Sequence, residues 1–376
     1  MPSPTAILDI AFRRASRHLA KPLVKDVDIA RKIENVARNL QNRAGVRWLL
    51  ACLLAKVHRP SVDIRKPYTE IGGKDCYSGR SYDERYIGPF ITKHSLPCNS
   101  TTAFLTPALR NRNIVLTPDV DLVGRPKSIY QHVLDLLTAV QQGKQAPHTL
   151  LAETVRCLLI FRDEQRRRME SPLSGLRAGA GGVPLSSEAI VTLITQHLAC
   201  RGASRLPVLV VAAAYRAAAE HLRERVLPLE SHTAADEQTG AVGDIQITLL
   251  DDDNVVTSYE MKNKRVTQGD IDRALQKLAS SKLKVDNYIF ITTEPIDERV
   301  QDHAREVYDR TNGLEMVILD CLSFLRHFLH LFHRLRTQYL EAYQQLVLSE
   351  PNSAVSQPLK EAFLALRQAA ESSEPD

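Results

Sequence analysis

The chain has 376 residues, a formal net charge of +5, 25% charged and 44% hydrophobic side chains. That length predicts two domains with sizeable cores, and the composition is that of a soluble globular protein rather than a disordered or fibrous one. The mild positive charge suits a polyanionic partner without identifying one. Six scattered cysteines (Cys52, Cys76, Cys98, Cys157, Cys200, Cys321) form no CxxC pair and no signal peptide is evident, which predicts reduced thiols and a cytoplasmic location. No apolar run reaches the length needed to cross a bilayer.

Residues 5–60 carry helical spacing. Ile7, Ile10, Ala11 and Ala15 form one face, Ile29, Ile33, Val36 and Leu40 another, and Val46–Val57 is a strongly apolar helix ending before Pro60. Between 61 and 120 that period fades and Gly and Pro break the chain into short pieces. This segment is rich in Arg, Lys, Asn, Ser, Thr and Tyr, the side chains that contact base edges and phosphates. Arg80, Arg85, Lys93, Asn99 and the run Arg110, Asn111, Arg112, Asn113 are the candidate DNA contacts; the same composition also suits a solvated, irregular surface. Helical stripes return with Ile129–Val140 and Leu150–Phe161, followed by Arg166, Arg167 and Arg168. The Gly- and Pro-rich stretch 171–184 is predicted to be a linker. Two helices follow within 185–230: one that Ser186 or Ser187 can cap, carrying Ile190, Leu193, Ile194 and Leu198, and one over about 207–225, with Glu188 and Glu220 as acids on them.

Residues 241–264 read AVGDIQITLLDDDNVVTSYEMKNK. Apolar alternation on either side of an Asp/Asn cluster predicts a β-hairpin. Glu260 and Lys262 are two apart on one strand and share a face. The hairpin brings Asp244 back beside them, with Gln246 on the face of Asp244. Two carboxylates are hard oxygen ligands suited to Mg2+, and a nearby ammonium orients a water or offsets charge developing on phosphorus. That set fits phosphodiester hydrolysis, although Glu and Lys so spaced also occur as a plain solvent-facing pair. A helix beginning at Thr267, with Asp270 in its first turn, is followed by a buried strand at 287–292, a helix at 296–311 and a strand at 314–319. One long helix is predicted over 321–348 and a shorter one over 358–370, before a disordered tail. His327, His330 and His333 drift around the first of these helices and read as surface or DNA-backbone contacts. No Gly-rich phosphate loop or nucleophile motif is present.

The pattern Gly-Asp, hairpin, Glu-x-Lys resembles the PD-(D/E)XK nuclease superfamily. Within it, GDIQITLLDDDNVVTSYEMKNKRVTQGDI is similar to the SacI family of type II restriction endonucleases. The likeness is clear over about 240–275 and weaker around SGRSYDERYIGPFI. Gly243 stands where the superfamily name has Pro. The resemblance implies an α/β fold with a restriction-endonuclease-like mixed sheet flanked by helices. It implies catalytic roles for Asp244, Glu260 and Lys262, with Mg2+ on Asp244 and Glu260. Gln246 and Lys264 are the supporting candidates around them, Lys264 sharing the face of Lys262 if the strand continues.

The expected domains are a mainly helical 1–175 holding a DNA-recognition segment at 66–120, a nuclease core at 185–350, and a C-terminal helix and tail at 351–376. The expected activity is Mg2+-dependent cleavage of double-stranded DNA at a short palindromic site. A palindromic target implies a homodimer, and a restriction enzyme implies a companion DNA methyltransferase. Two other readings are a less sequence-specific repair or structure-selective nuclease, and a non-catalytic DNA-binding protein.

Overall fold

The computed structural model describes residues 2–110, 112–178, 184–229, 243–252, 254–281 and 285–372. The chain divides into two compact units, Met1–Arg168 and Met169–Asp376.

In the first unit, helix α1 (Pro4–Arg17) turns Ile7, Ala11 and Ala15 inward and α2 (Val27–Arg38) turns Ile29, Ile33 and Val36 inward, whereas Ile10 of the first predicted stripe is exposed and Leu40 of the second lies exposed beyond the end of α2. Helix α3 (Arg43–His58) starts on Asn42, whose side chain accepts from the Gly45 amide at 3.1 Å. Trp48, Leu49, Leu50, Leu53 and Leu54 are fully buried, so α3 is enclosed on every side, as a helix apolar around its circumference must be. The irregular segment contains two short helices, α4 (Gly79–Tyr82) and α5 (Gly88–Lys93), joined by a π-helical turn at Asp83–Ile87. A buried ion pair ties this segment to α3. Arg47 Nε donates to Asp83 Oδ1 at 2.6 Å, and its Nη1 donates to the carbonyls of Asn99 (2.7 Å) and Ser100 (2.9 Å). Helices α6 (Lys127–Gln141) and α7 (Pro147–Ala178) follow. The expected linker at 171–184 is therefore helical as far as Ala178: Pro172 lies inside α7, whereas residues 179–183 fall outside the described set.

The second unit is built on a five-stranded mixed sheet in the order β1-β2-β3-β4-β5. Helices α8 (Ser187–Leu198) and α9 (Leu206–Leu222) precede it. The second helix stops earlier than expected. Arg223 takes a left-handed conformation, and Glu224–Val226 forms a short strand, β1, antiparallel to β2 (Ile245–Leu249). Strand β2 pairs antiparallel with β3 (Val255–Lys262), which completes the predicted hairpin. Helix α10 (Gln268–Ser280) leads to β4 (Asn287–Thr292), and α11 (Glu298–Thr311) leads to β5 (Glu315–Asp320). Both β3/β4 and β4/β5 are parallel pairs.

Alternation sorts the side chains onto two faces. Ile245, Ile247, Tyr259 and Ile291 enter a core with α8, α9, α12 (Cys321–Leu331), α13 (Arg336–Ser349) and α14 (Gln357–Ser372). Tyr288, Phe290, Met316 and Ile318 enter a smaller core with Ile271 and Ala274 of α10 and Val300, Ala304 and Val307 of α11. The single long helix expected from 321 to 348 is broken by a 3-10 turn at His333–Leu335. The last helix is not a separate appendage: Phe363 and Leu364 are fully buried in the larger core. His197 pins it further, since Nε2 lies 3.0 Å from the Leu359 carbonyl and Nδ1 lies 3.0 Å from the Tyr343 hydroxyl. Residues 373–376, at the end of the predicted disordered tail, lie outside the described residues.

Candidate active site

The hairpin places three charged side chains on the sheet face that carries the smaller core. The Asp244 amide donates to the Tyr259 carbonyl at 2.8 Å, which extends the β2/β3 ladder by one residue. Asp244 Oδ2 in turn accepts from the Met261 amide at 2.7 Å. This carboxylate is thus held against β3 beside Glu260. Gly243 makes the approach possible, because a Cβ there would lie 2.6 Å from the Tyr259 carbonyl oxygen and would collide with Ser258 Oγ.

Glu260 pairs in register with Phe290 of β4, and Lys262 with Thr292. Glu260 Oε1 is in ion contact with Lys262 Nζ, and Oε2 accepts a short hydrogen bond from the Tyr288 hydroxyl. Lys262 Nζ also lies 3.4 Å from Asp270 Oδ1 and 5.9 Å from the centre of the Phe290 ring. Burial acts to lower the Lys262 pKa, but the carboxylates of Glu260 and Asp270 outweigh it and hold the ammonium above its ordinary value. Asp270 is buried, which acts to raise its pKa; the Thr267 hydroxyl and amide, Arg273 and Lys262 outweigh this and keep it well below the carboxylate range.

The other expected residues divide. Gln246 shares the face of Asp244, opposite Ser258 in register, and both Gln246 Nε2 and Ser258 Oγ are buried without a hydrogen-bond partner among the described residues. Lys264 does not share the face of Lys262, because β3 ends at Lys262 and Lys264 is an exposed residue beyond it. Glu188 pairs with Arg326 and His330 at 3.0 and 3.2 Å, and Glu220 is exposed on α9. His327 borders an apolar groove with Phe324 and Phe332 while His330 faces Glu188, so the three histidines do not converge.

In the first unit, Arg80, Arg110 and Asn113 border one polar cleft together with Tyr68 and Ser78. Arg80 is also paired with Glu84 at 2.7 Å. Arg85 is exposed on the π turn, and Lys93 faces Asp9 at 3.8 Å. The Asn99 side chain is turned onto Thr101, and Arg112 Nε donates to the Ala108 carbonyl at 3.1 Å. Asn111 lies outside the described residues.

Two members of the constellation went unrecognised in the sequence. Asp270 was legible only as an acid at a helix start, and Tyr288 only as part of an apolar strand. Register across a parallel pair separates Tyr288 from Glu260 by 28 positions, and no local pattern carries that information.

Among the described residues, no three His, Cys, Asp or Glu side chains enclose a metal. Asp244 and Glu260 supply a two-carboxylate, all-oxygen set, the kind Mg2+ accepts while keeping water and phosphate oxygens in its other positions. Positive charge is already drawn to Glu260, as the Lys262 contact shows.

Residues 186–293, from the cap of α8 to just past β4, match the family model of the SacI restriction endonuclease C-terminal domain. That stretch contains every residue of the constellation above. No curated protein matches the chain. The match is to the C-terminal domain alone, and it supports a restriction endonuclease of the SacI family.

Proposed function

We propose that the protein is a Mg2+-dependent type II restriction endonuclease that hydrolyses double-stranded DNA at a short palindromic site. The observation that carries this is the contact of Glu260 with Lys262 on the face where the Met261 amide pins Asp244, inside the matched domain. Asp244 and Glu260 hold the cation. Bound there, Mg2+ would lower the pKa of a water and offset charge on the scissile phosphate. Lys262, an ammonium at neutral pH, orients the attacking water and stabilises the developing negative charge. Tyr288 fixes the Glu260 carboxylate, and Gln246, whose buried Nε2 has no partner among the described residues, supports the site from behind Asp244. Arg80, Arg110 and Asn113 are the DNA contacts favoured in the first unit, since they share one cleft. A two-fold DNA site calls for a homodimer, and a DNA methyltransferase would protect host sites in the same cytoplasm.

Asp244→Asn and Glu260→Gln should each reduce cleavage by more than about a hundredfold, a loss of several kcal/mol in the transition state at about 1.4 kcal/mol per decade. DNA affinity measured in Ca2+ should persist. Wild-type cutting by either variant would overturn the assignment. Plasmid digestion distinguishes the remaining readings: discrete bands mark site-specific cutting, whereas smears or nicks mark a repair-type nuclease.

A further inference from the structure

Lys262 has two carboxylate neighbours, and only one of them is assigned to the cation. Asp270 occupies the third position of α10, where it forms a capping box. Its Oδ2 accepts from the Thr267 amide at 3.0 Å and the Thr267 hydroxyl at 2.6 Å. A capping box uses one acceptor oxygen, which an amide side chain supplies equally well. The second oxygen, Oδ1, is surplus to the cap. It faces Lys262 Nζ at 3.4 Å and Arg273 at 2.6 Å, on a side chain only 1% exposed. A buried full charge is costly unless cations answer it. Arg273 is 65% exposed and screened by water, whereas Lys262 is 19% exposed and rests over the Phe290 ring.

We infer that Asp270 is a positioning residue for Lys262: its Oδ1 retains the ammonium at the sheet face when Glu260 turns from Lys262 to a divalent cation. The inference rests on the nuclease reading above. The cap clamps Oδ2, so the Asp270 carboxylate cannot rotate away. Lys262 therefore exchanges one carboxylate for another without leaving the place where water and phosphate meet.

The test uses the full chain as wild type, Asp270→Asn and Ile271→Val. Asparagine keeps the cap and removes the charge; Ile271→Val weakens the same helix without touching Lys262. Two quantities are measured. One is acylation of the Lys262 amine by an N-hydroxysuccinimide ester, followed by peptide mass spectrometry with and without Ca2+. The other is single-turnover DNA cleavage in Mg2+. In Ca2+, Lys262 of Asp270→Asn should label faster than wild type, and its cleavage should fall about 10–100-fold, the usual loss when an outer partner of a site is removed. DNA affinity in Ca2+ should be unchanged, and Ile271→Val should shift only the melting temperature. Wild-type labelling and cutting by Asp270→Asn would overturn the inference. If Asp244→Asn and Glu260→Gln abolish cutting in the same assays, the nuclease site stands and only the role of Asp270 fails. If those two variants cut normally, the nuclease reading fails first.

Discussion

Replacing Arg47 by Met should destabilise the first unit by about 4 kcal/mol, and the contacts of the guanidinium set that figure. Arg47 and Asp83 side chains are 5% and 0% exposed, so the variant leaves a carboxylate sealed from water without its cation. Removing one member of a buried pair costs about 3–5 kcal/mol. Asp83 keeps the Thr102 hydroxyl and the Ala103 amide, the latter at 2.9 Å, which places the loss near the lower end, about 3 kcal/mol. The carbonyls of Asn99 and Ser100 also lose their donor, but Ser100 is exposed and water replaces much of that bond, adding about 1 kcal/mol. At about 2–4 °C per kcal/mol for a unit of this size, the transition should fall by about 8–16 °C. Trp48, the only tryptophan, is fully buried in the same core, so its fluorescence reports this transition selectively. Arg47→Met/Asp83→Asn should lose clearly less than the sum of the two single variants, because the uncompensated charge is gone. A transition within about 2 °C of wild type, or strict additivity in the double variant, would refute the reasoning.

Three further outcomes are expected. Gly243→Ala should cut DNA about a hundredfold more slowly in a single-turnover assay, because the new Cβ meets the Tyr259 carbonyl and Ser258 Oγ and pushes Asp244 off β3. Tyr288→Phe should cost about 10–100-fold in cleavage and raise the Mg2+ concentration for half-maximal rate, since Glu260 Oε2 loses its phenol donor; an unchanged Mg2+ midpoint would count against it. Burial pushes the His197 pKa from 6.5 down to about 4. The folded state keeps this ring neutral while the unfolded chain takes up a proton, so the contribution is complete above about pH 6.5 and is lost as pH falls towards 4, about 3 kcal/mol in all. Urea midpoints of wild type and His197→Gln should therefore converge as pH is lowered from 7 to 4.5, and a constant gap would exclude this source.

Much of the second unit was legible in the residue order. Alternation in Ile245–Leu249 and Val255–Lys262 around an acidic turn specified the hairpin, and the two-residue spacing put Glu260 and Lys262 on one face. The helix after Thr267 and the strands expected at 287–292 and 314–319 followed from period and β-branching, the second lying one residue later in the fold, at Glu315–Asp320. These features are local: each depends on a few neighbouring residues and on the geometry of one element. Two errors were local as well. The Gly-rich stretch after 171 proved helical to Ala178, where Met169 and Leu173 pack on the second core and override weak propensity, and the long helix after 321 broke at His333–Leu335.

What the residue order could not decide was the company each charge keeps. Parallel register alone set the Tyr288 hydroxyl on Glu260, and the descent of α10 onto the sheet alone brought Asp270 to Lys262. Strand β1 was likewise hidden, because three residues carry no period and gain strand form only by pairing with β2. Such contacts join residues far apart in the chain, and their energy exists only once the chain has closed around them. Sequence periodicity therefore determined which side chains lie on which face, and packing between elements decided which of them meet.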